Sequence, residues 1–287
     1  MKFILGTANF GTPYGISNSA KKISNIEIKK ILRLAKKQKI SQLDTAINYK
    51  NSEKLLGKLT SNDDFSIITK LPKIGKNISL INNFIFQSLK KLKRKQLDGV
   101  LIHSIDDLDS INIKKIFLEL SKLKKKKIIK NIGVSVYSVK NLMDIVDKYN
   151  VDIVQFPASV FDLRFLKEKI LLKLKKKKIK ILVRSIFLQG VIFLSTVTIK
   201  KKFKNYSKKI IKFREDLNND TDKIIKYCLG FIKNFKYIDS IIIGVNSSNN
   251  LLQILNNNKK KIKIKNLNKY SITSEKILIP YNWKNIK

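Results

Sequence analysis

Ser240-Ile241-Ile242-Ile243-Gly244 is the stretch whose reading decides the fold. A strand with one wet face alternates apolar and polar residues. This one is apolar at three successive positions, as a strand covered on both faces of a parallel sheet should be. Moving outward from it, β-rich runs recur at Phe3–Gly6, Gln42–Ala46, Phe65–Thr69, Gly99–His103, Asn131–Ser135, Ile153–Phe156 and Ile179–Ser185. Amphipathic helices lie between them. Ser24-Asn25-Ile26-Glu27 reads as a capping box that opens a helix with Ile28, Ile31, Leu32 and Ala35 on one face. Comparable apolar stripes run through Ile81–Leu92, Ile113–Leu123, Val139–Val146, Leu163–Leu174, Ile224–Phe235 and Leu251–Leu255.

Eight strands alternating with helices form either a closed barrel or an open doubly wound sheet. The count of eight favours a (β/α)8 TIM barrel. So does the lack of a G-x-G-x-x-G after the first strand, which a dinucleotide-binding open sheet would carry there. No linker-like segment divides the chain, so residues 1–287 are expected to form a single barrel domain. The longest interval between strands, Phe187 to Asp239, should hold more than one helix and a loop around Phe193–Lys200 over the active-site face.

Composition narrows the function classes. With 43% hydrophobic residues, ten glycines and four prolines, the 287-residue chain is globular rather than disordered or fibrous. No apolar run is long enough to span a bilayer, and Phe3-Ile4-Leu5 is too short for a signal-peptide core, so a cytoplasmic protein without membrane association is expected. The lone Cys228 can form neither an intrachain disulfide nor, by itself, a metal site, and it falls on the apolar stripe with Ile224, Ile225 and Phe231. The net charge of +40 raises nucleic-acid binding as a hypothesis. Only five of the 61 basic residues are arginine, however, and the lysines are spread over the whole chain. The runs Lys124–Lys127, Lys175–Lys178 and Lys259–Lys261 fall at the ends of expected helices, where cations suit the helix dipole. A solvated lysine coat therefore accounts for the charge better than a specific nucleic-acid site.

In a barrel, reactive residues sit at the C-terminal ends of strands or just after them. Those positions hold Asp44 and Tyr49 after the second strand, Lys70 after the third and His103 ending the fourth. An acid, a phenol, an amine and an imidazole on successive strands of one face make a coherent proton-transfer set. Singly, each has an ordinary structural alternative: Asp44 a helix cap, Tyr49 a rim aromatic, Lys70 one lysine among many, His103 a structural histidine.

The sequence around these positions resembles the aldo-keto reductases. Leu43-Asp44-Thr45-Ala46-Ile47-Asn48-Tyr49, followed by Ser52-Glu53 and Leu56-Gly57, is similar to the family's catalytic-tyrosine motif. Ile68-Thr69-Lys70 resembles its lysine motif, and Leu101-Ile102-His103-Ser104 its histidine motif. Ile132-Gly133-Val134-Ser135, Val154-Gln155-Phe156-Pro157 and Arg184-Ser185-Ile186-Phe187-Leu188-Gln189-Gly190 follow in the family's order. The resemblance spans Gly6 to about Leu255 and implies reduction of an aldehyde or ketone, a sugar derivative among the candidates, by hydride from a nicotinamide cofactor. It assigns Tyr49 as proton donor, Lys70 as the ammonium that eases that donation, Asp44 as the partner of Lys70, and His103 as a hydrogen-bond donor to the substrate oxygen. A tyrosine's ordinary pKa of about 10 explains why a neighbouring cation is needed.

For the cofactor, the resemblance implies Ser135 and Gln155 at the nicotinamide carboxamide. Val136 stands where the family commonly has Asn, and Arg184 stands where many members stack an aromatic ring. Ser185, Gln189 and Gly190, with Gly244, Asn246 and Ser247, match the backbone-lined phosphate region. At the 2′-phosphate clamp, Gly244 and Asn250 replace the family's Lys and Arg. With no acidic residue expected there, the balance leans slightly to NADPH and leaves NADH open. Phe10 and Tyr14 are candidate pocket walls or packing residues. A protein that keeps this fold and cofactor site but acts through partner binding is the alternative reading.

Overall fold

The computed structural model describes residues 1–11, 22–61, 64–74, 77–103, 105, 110–258, 262, 264 and 266–285. Eight parallel strands close into a barrel in sequence order. They are β1 (Lys2–Gly6), β2 (Gln42–Asp44), β3 (Ser66–Leu71), β4 (Gly99–Ile102), β5 (Ile132–Ser135), β6 (Ile153–Pro157), β7 (Lys180–Arg184) and β8 (Ser240–Gly244). The helices around them are α1 (Ala8–Gly11), α2 (Asn25–Lys37), α3 (Ser52–Leu59), α4 (Leu80–Leu92), α5 (Ser110–Lys125), α6 (Val139–Lys148), α7 (Glu168–Lys176), α8 (Thr196–Phe203), α9 (Ser207–Glu215), α10 (Thr221–Ile232), α11 (Ser248–Asn256) and α12 (Glu275–Leu278).

The isoleucine triplet of β8 shows why apolar residues run without alternation. Ile242 points into the barrel, where it packs with Ile4, Ile68, Leu101, Ile153 and Leu182. Its neighbours Ile241 and Ile243 point outward into the larger core beneath the helices. Each such side chain, withdrawn from water, contributes roughly 1.5–3 kcal/mol, so both faces of every strand add to stability. Cys228 is buried in the outer core, as its place on the α10 stripe predicts.

Several boundaries differ from the sequence reading. Strand β3 begins one residue later than expected and continues through Lys70 to Leu71, so Lys70 lies inside a strand rather than after it. Strand β2 ends at Asp44, two residues early, although Thr45 N–H still donates to the carbonyl of Ile68. The loop expected at Phe193–Lys200 is mostly helical: a 3-10 segment, Leu188–Phe193, is followed by α8, whose N-cap Ser195 accepts from Thr198 N–H. Helix α7 starts at Glu168, later than the apolar stripe from Leu163 suggests; Arg164, before it, is instead tied to Asp162 and to Glu275 of α12. Tyr14 and Lys259–Lys261 lie outside the described residues. Among the described residues, no helix is long and apolar enough to cross a membrane.

Candidate active site

Register brings the C-terminal strand ends to one rim. Gly6 is paired with both Asp44 and Gly244, Ser135 with Gln155, and Pro157 with Arg184. A cleft of about 540 Å³ opens there, lined on one side by Asp44, Tyr49 and Gln155. From these it passes Arg184, Ser185, Gln189 and Gly190 to Gly244, Asn246 and Asn250. This is the end of the barrel where chemistry is expected.

The four candidate proton-transfer residues are brought together. Lys70 is fully buried, and its Nζ donates to Asp44 Oδ2 at 2.6 Å and to the carbonyl of Thr45 at 2.8 Å. The same ammonium lies 5.3 Å from the centre of the Tyr49 ring. Tyr49 meets His103 edge to face, with ring centroids 6.0 Å apart. Burial pushes the Lys70 ammonium below the ordinary lysine value, while the Asp44 carboxylate opposes that shift and the Arg184 charge adds to it. His103 is held down to about 3, first by burial and then by the positive charges of Lys70 and Arg184, so its imidazole is neutral near pH 7.

Local sequence fixes Tyr49 in place. A Cβ added to Gly11 would fall 1.8 Å from the Tyr49 carbonyl oxygen, so the tyrosine-bearing turn rests directly on a glycine of α1. Below it a buried polar network joins three strand ends to α3. Ser52 Oγ donates to Thr7 and lies 3.1 Å from Thr45 Oγ1, while Glu53 accepts from Thr69 at 2.7 Å and from Ser88 at 2.5 Å. Phe10, a candidate pocket wall, is instead wholly buried in the outer core.

The expected cofactor contacts separate into two groups. Gln155 donates from Nε2 to Asp44 Oδ1 at 2.8 Å, and its Oε1 is buried without a hydrogen-bond partner. An unpartnered buried acceptor on the cleft wall suits an incoming amide donor such as a carboxamide. Arg184 lines the cleft with its guanidinium carbon 4.2 Å from the centre of the Tyr137 ring. Ser185, Leu188, Gln189 and Gly190 all have positive φ, so the backbone after β7 is held in a conformation that costs of order 1 kcal/mol or more per non-glycine residue. Ser135 is buried at the end of β5. Ser247 is the N-cap of α11 and its hydroxyl accepts from Asn250 N–H, which makes it a helix cap beside the cleft.

Sequence reasoning missed three features of the cleft and its border. Asn9 lines it and donates to the carbonyl of Val245 at 3.3 Å, joining α1 to the turn after β8. Thr221 and Ile225 of α10 line it together with Asn250 and Ile254 of α11. The third is Glu27. The capping box is only half formed: Ser24 accepts from Glu27 N–H, but the Glu27 carboxylate leaves α2 and accepts from Ser248 N–H at 2.6 Å and Ser248 Oγ at 2.8 Å. An acidic group therefore stands at the start of α11, a contact that the sequence did not signal.

Comparison with known proteins agrees with this architecture. The sequence model of the aldo/keto reductase family matches residues 2–274. D-arabinose 1-dehydrogenase of Saccharomyces cerevisiae is 30% identical over 127 residues, a match covering 40% of this chain and 38% of that protein. The matched part thus spans well under half of that relative's length. A holo-form aldo-keto reductase of Bacillus halodurans superposes with a TM-score of 0.75 at 16% identity, covering 94% of this chain and 90% of that one. Glycerol dehydrogenase of Gluconobacter oxydans gives 0.70 at 18% identity over 99% and 90%. The barrel, the order of its motifs and the family match together establish that this chain belongs to the aldo/keto reductase family.

Proposed function

We propose that this protein reduces an aldehyde or ketone to an alcohol with a nicotinamide cofactor, and that Tyr49 gives the proton. The observation that carries the reading is the buried Lys70–Asp44 pair set beside the Tyr49 ring at the floor of the cleft. Such a pair is costly to bury and stabilises little by itself, so its place beside a phenol at a strand end points to chemistry.

When bound, the nicotinamide cofactor supplies hydride to the carbonyl carbon. Gln155 and Ser135 would hold its carboxamide, with the buried Gln155 Oε1 as acceptor. The turn at Ser185, Gln189 and Gly190, with Gly244 and Asn246, would hold its phosphates. Tyr49 donates its hydroxyl proton to the carbonyl oxygen as negative charge builds there. Lys70 stabilises the phenolate that remains, and Asp44 keeps that ammonium charged and in place. Neutral His103, carrying one N–H, donates a hydrogen bond to the same oxygen and orients the carbonyl. Calorimetric titration with NADH and NADPH, then turnover on a panel of small carbonyls, tests the reading. Cofactor binding with no turnover on any carbonyl would argue for the partner-binding alternative.

A further inference from the structure

The cleft has a chemically distinct far end. At one end stand Tyr49, Gln155 and Asp44. At the other stand Asn246, just before α11, and Asn250 and Ile254 on it, with Thr221 and Ile225 of α10 lining the same cleft. If nicotinamide occupies the first end, as proposed above, Ile225 and Ile254 at the second would offer apolar cover to the adenosine half. The stretch carrying β8 and α11 also departs from the basic composition of the chain. No Lys or Arg occurs between Lys236 and Lys259, in a protein that carries 61 of them.

Helix α11 does not compensate. Its first turn would ordinarily offer N–H groups and a positive dipole end to a phosphate. Here the Asn250 N–H is taken by Ser247 and the Ser248 N–H by Glu27, and the Glu27 carboxylate brings a negative charge to that end. Hydrogen bonds from Ser248 hold that carboxylate below the usual range, so it stays charged. Lys30 lies 4.0 Å away on an exposed side chain and offsets it only in part.

We propose that Glu27 sets cofactor choice in this cleft, admitting NADH and disfavouring the additional 2′-phosphate of NADPH. The inference rests on the nicotinamide reading and reverses the slight lean to NADPH taken from sequence. Glu27 is not itself a lining residue, but its carboxylate is held at Ser248, two residues before the cleft-lining Asn250. From there a negative charge would tolerate a ribose hydroxyl and repel a phosphate, the same logic by which open-sheet dinucleotide domains separate the two cofactors.

The test is calorimetric affinity for NADH and NADPH at low and high salt, on wild type, Glu27→Gln and Asn250→Lys. Glutamine keeps an oxygen for Ser248 while removing the charge, and circular dichroism confirms the fold of each variant. Wild type should favour NADH by about tenfold at low salt, less at high salt, and Glu27→Gln should erase most of that preference by tightening NADPH. Asn250→Lys, which leaves Glu27 in place, should also tighten NADPH. A wild-type preference for NADPH, or a ratio unchanged in folded Glu27→Gln, or NADPH affinity unmoved by Asn250→Lys, would overturn the proposal. Binding of neither dinucleotide would instead overturn the nicotinamide reading on which it rests.

Discussion

Lys70 and Asp44 are 2.6 Å apart and both are cut off from water, their side chains 1% and 6% exposed. The pair spans adjacent strands, and its other hydrogen bonds tie it to Thr45 and Gln155. Removing one charge leaves the other buried and unmatched. Asp44→Asn should therefore cost about 3–5 kcal/mol in urea denaturation near neutral pH. The sign of its pH dependence follows from Lys70. Burial already sets the folded pKa below the unfolded one, and loss of Asp44 lowers it further. Between the folded and unfolded values the unfolded chain holds the extra proton, so stability rises with pH. The deficit of Asp44→Asn should shrink as pH approaches about 10; a deficit that grows with pH would contradict the assignment.

His103 is the only histidine in the chain, so its titration can be read without ambiguity. With its pKa held at about 3, its ring signals in a carbon-proton correlation spectrum should not shift between pH 8 and about 5. The unfolded chain takes up this proton near pH 6.5 and the folded one does not. His103 thus contributes stability that is present above that value and lost as pH falls toward 3. A midpoint near 6.5 in the folded protein would show the site to be wetter than the packing implies.

Two glycines of the rim should behave oppositely. A Cβ on Gly11 collides with backbone at Tyr49 and Ser52, whereas one on Gly244 meets nothing within 4 Å. Gly11→Ala should displace the tyrosine-bearing turn and lower both thermal midpoint and turnover, by about 2 kcal/mol or more in stability. Gly244→Ala should stay within about 1 kcal/mol of wild type. Equal effects would argue against the close contact at Tyr49.

The lysine coat can be tested at one run. Lys175 pairs with Asp239 and Lys177 lies 3.6 Å from Asp147, at the barrel end opposite the cleft. Replacing Lys175–Lys178 with glutamine should cost at most about 1–2 kcal/mol, since surface pairs are worth little. Turnover should hold, and any weak, salt-sensitive binding to DNA should change only slightly. Tight, salt-resistant DNA binding that collapses with this run would call for a nucleic-acid function.

These residues also show what was legible in the sequence. The barrel was, because eight apolar runs with helices between them leave few topologies, and an unalternating strand such as β8 needs cover on both faces. Asp44, Tyr49, Lys70 and His103 were legible because strand ends of a barrel share one rim. The strand content of Lys70 was not, since a lysine reads as solvent-facing until its buried partner Asp44 is known. Glu27 misled for a related reason. Its spacing from Ser24 fits a capping box, and only tertiary packing of α2 beside α11 diverts its carboxylate to Ser248, 221 positions away in the chain. Asn9, Thr221 and Ile225 carry no local signal at all; folding alone brings them to the cleft.

The central claim is that Tyr49 donates the proton in a nicotinamide-dependent carbonyl reduction. The most direct test is the turnover number of Tyr49→Phe against wild type on the best carbonyl of a panel, with cofactor affinity measured in parallel. The account predicts affinity within about twofold of wild type and turnover reduced by roughly two to four orders of magnitude, the usual contribution of a general acid. A folded Tyr49→Phe enzyme that keeps about a third or more of wild-type turnover would contradict it.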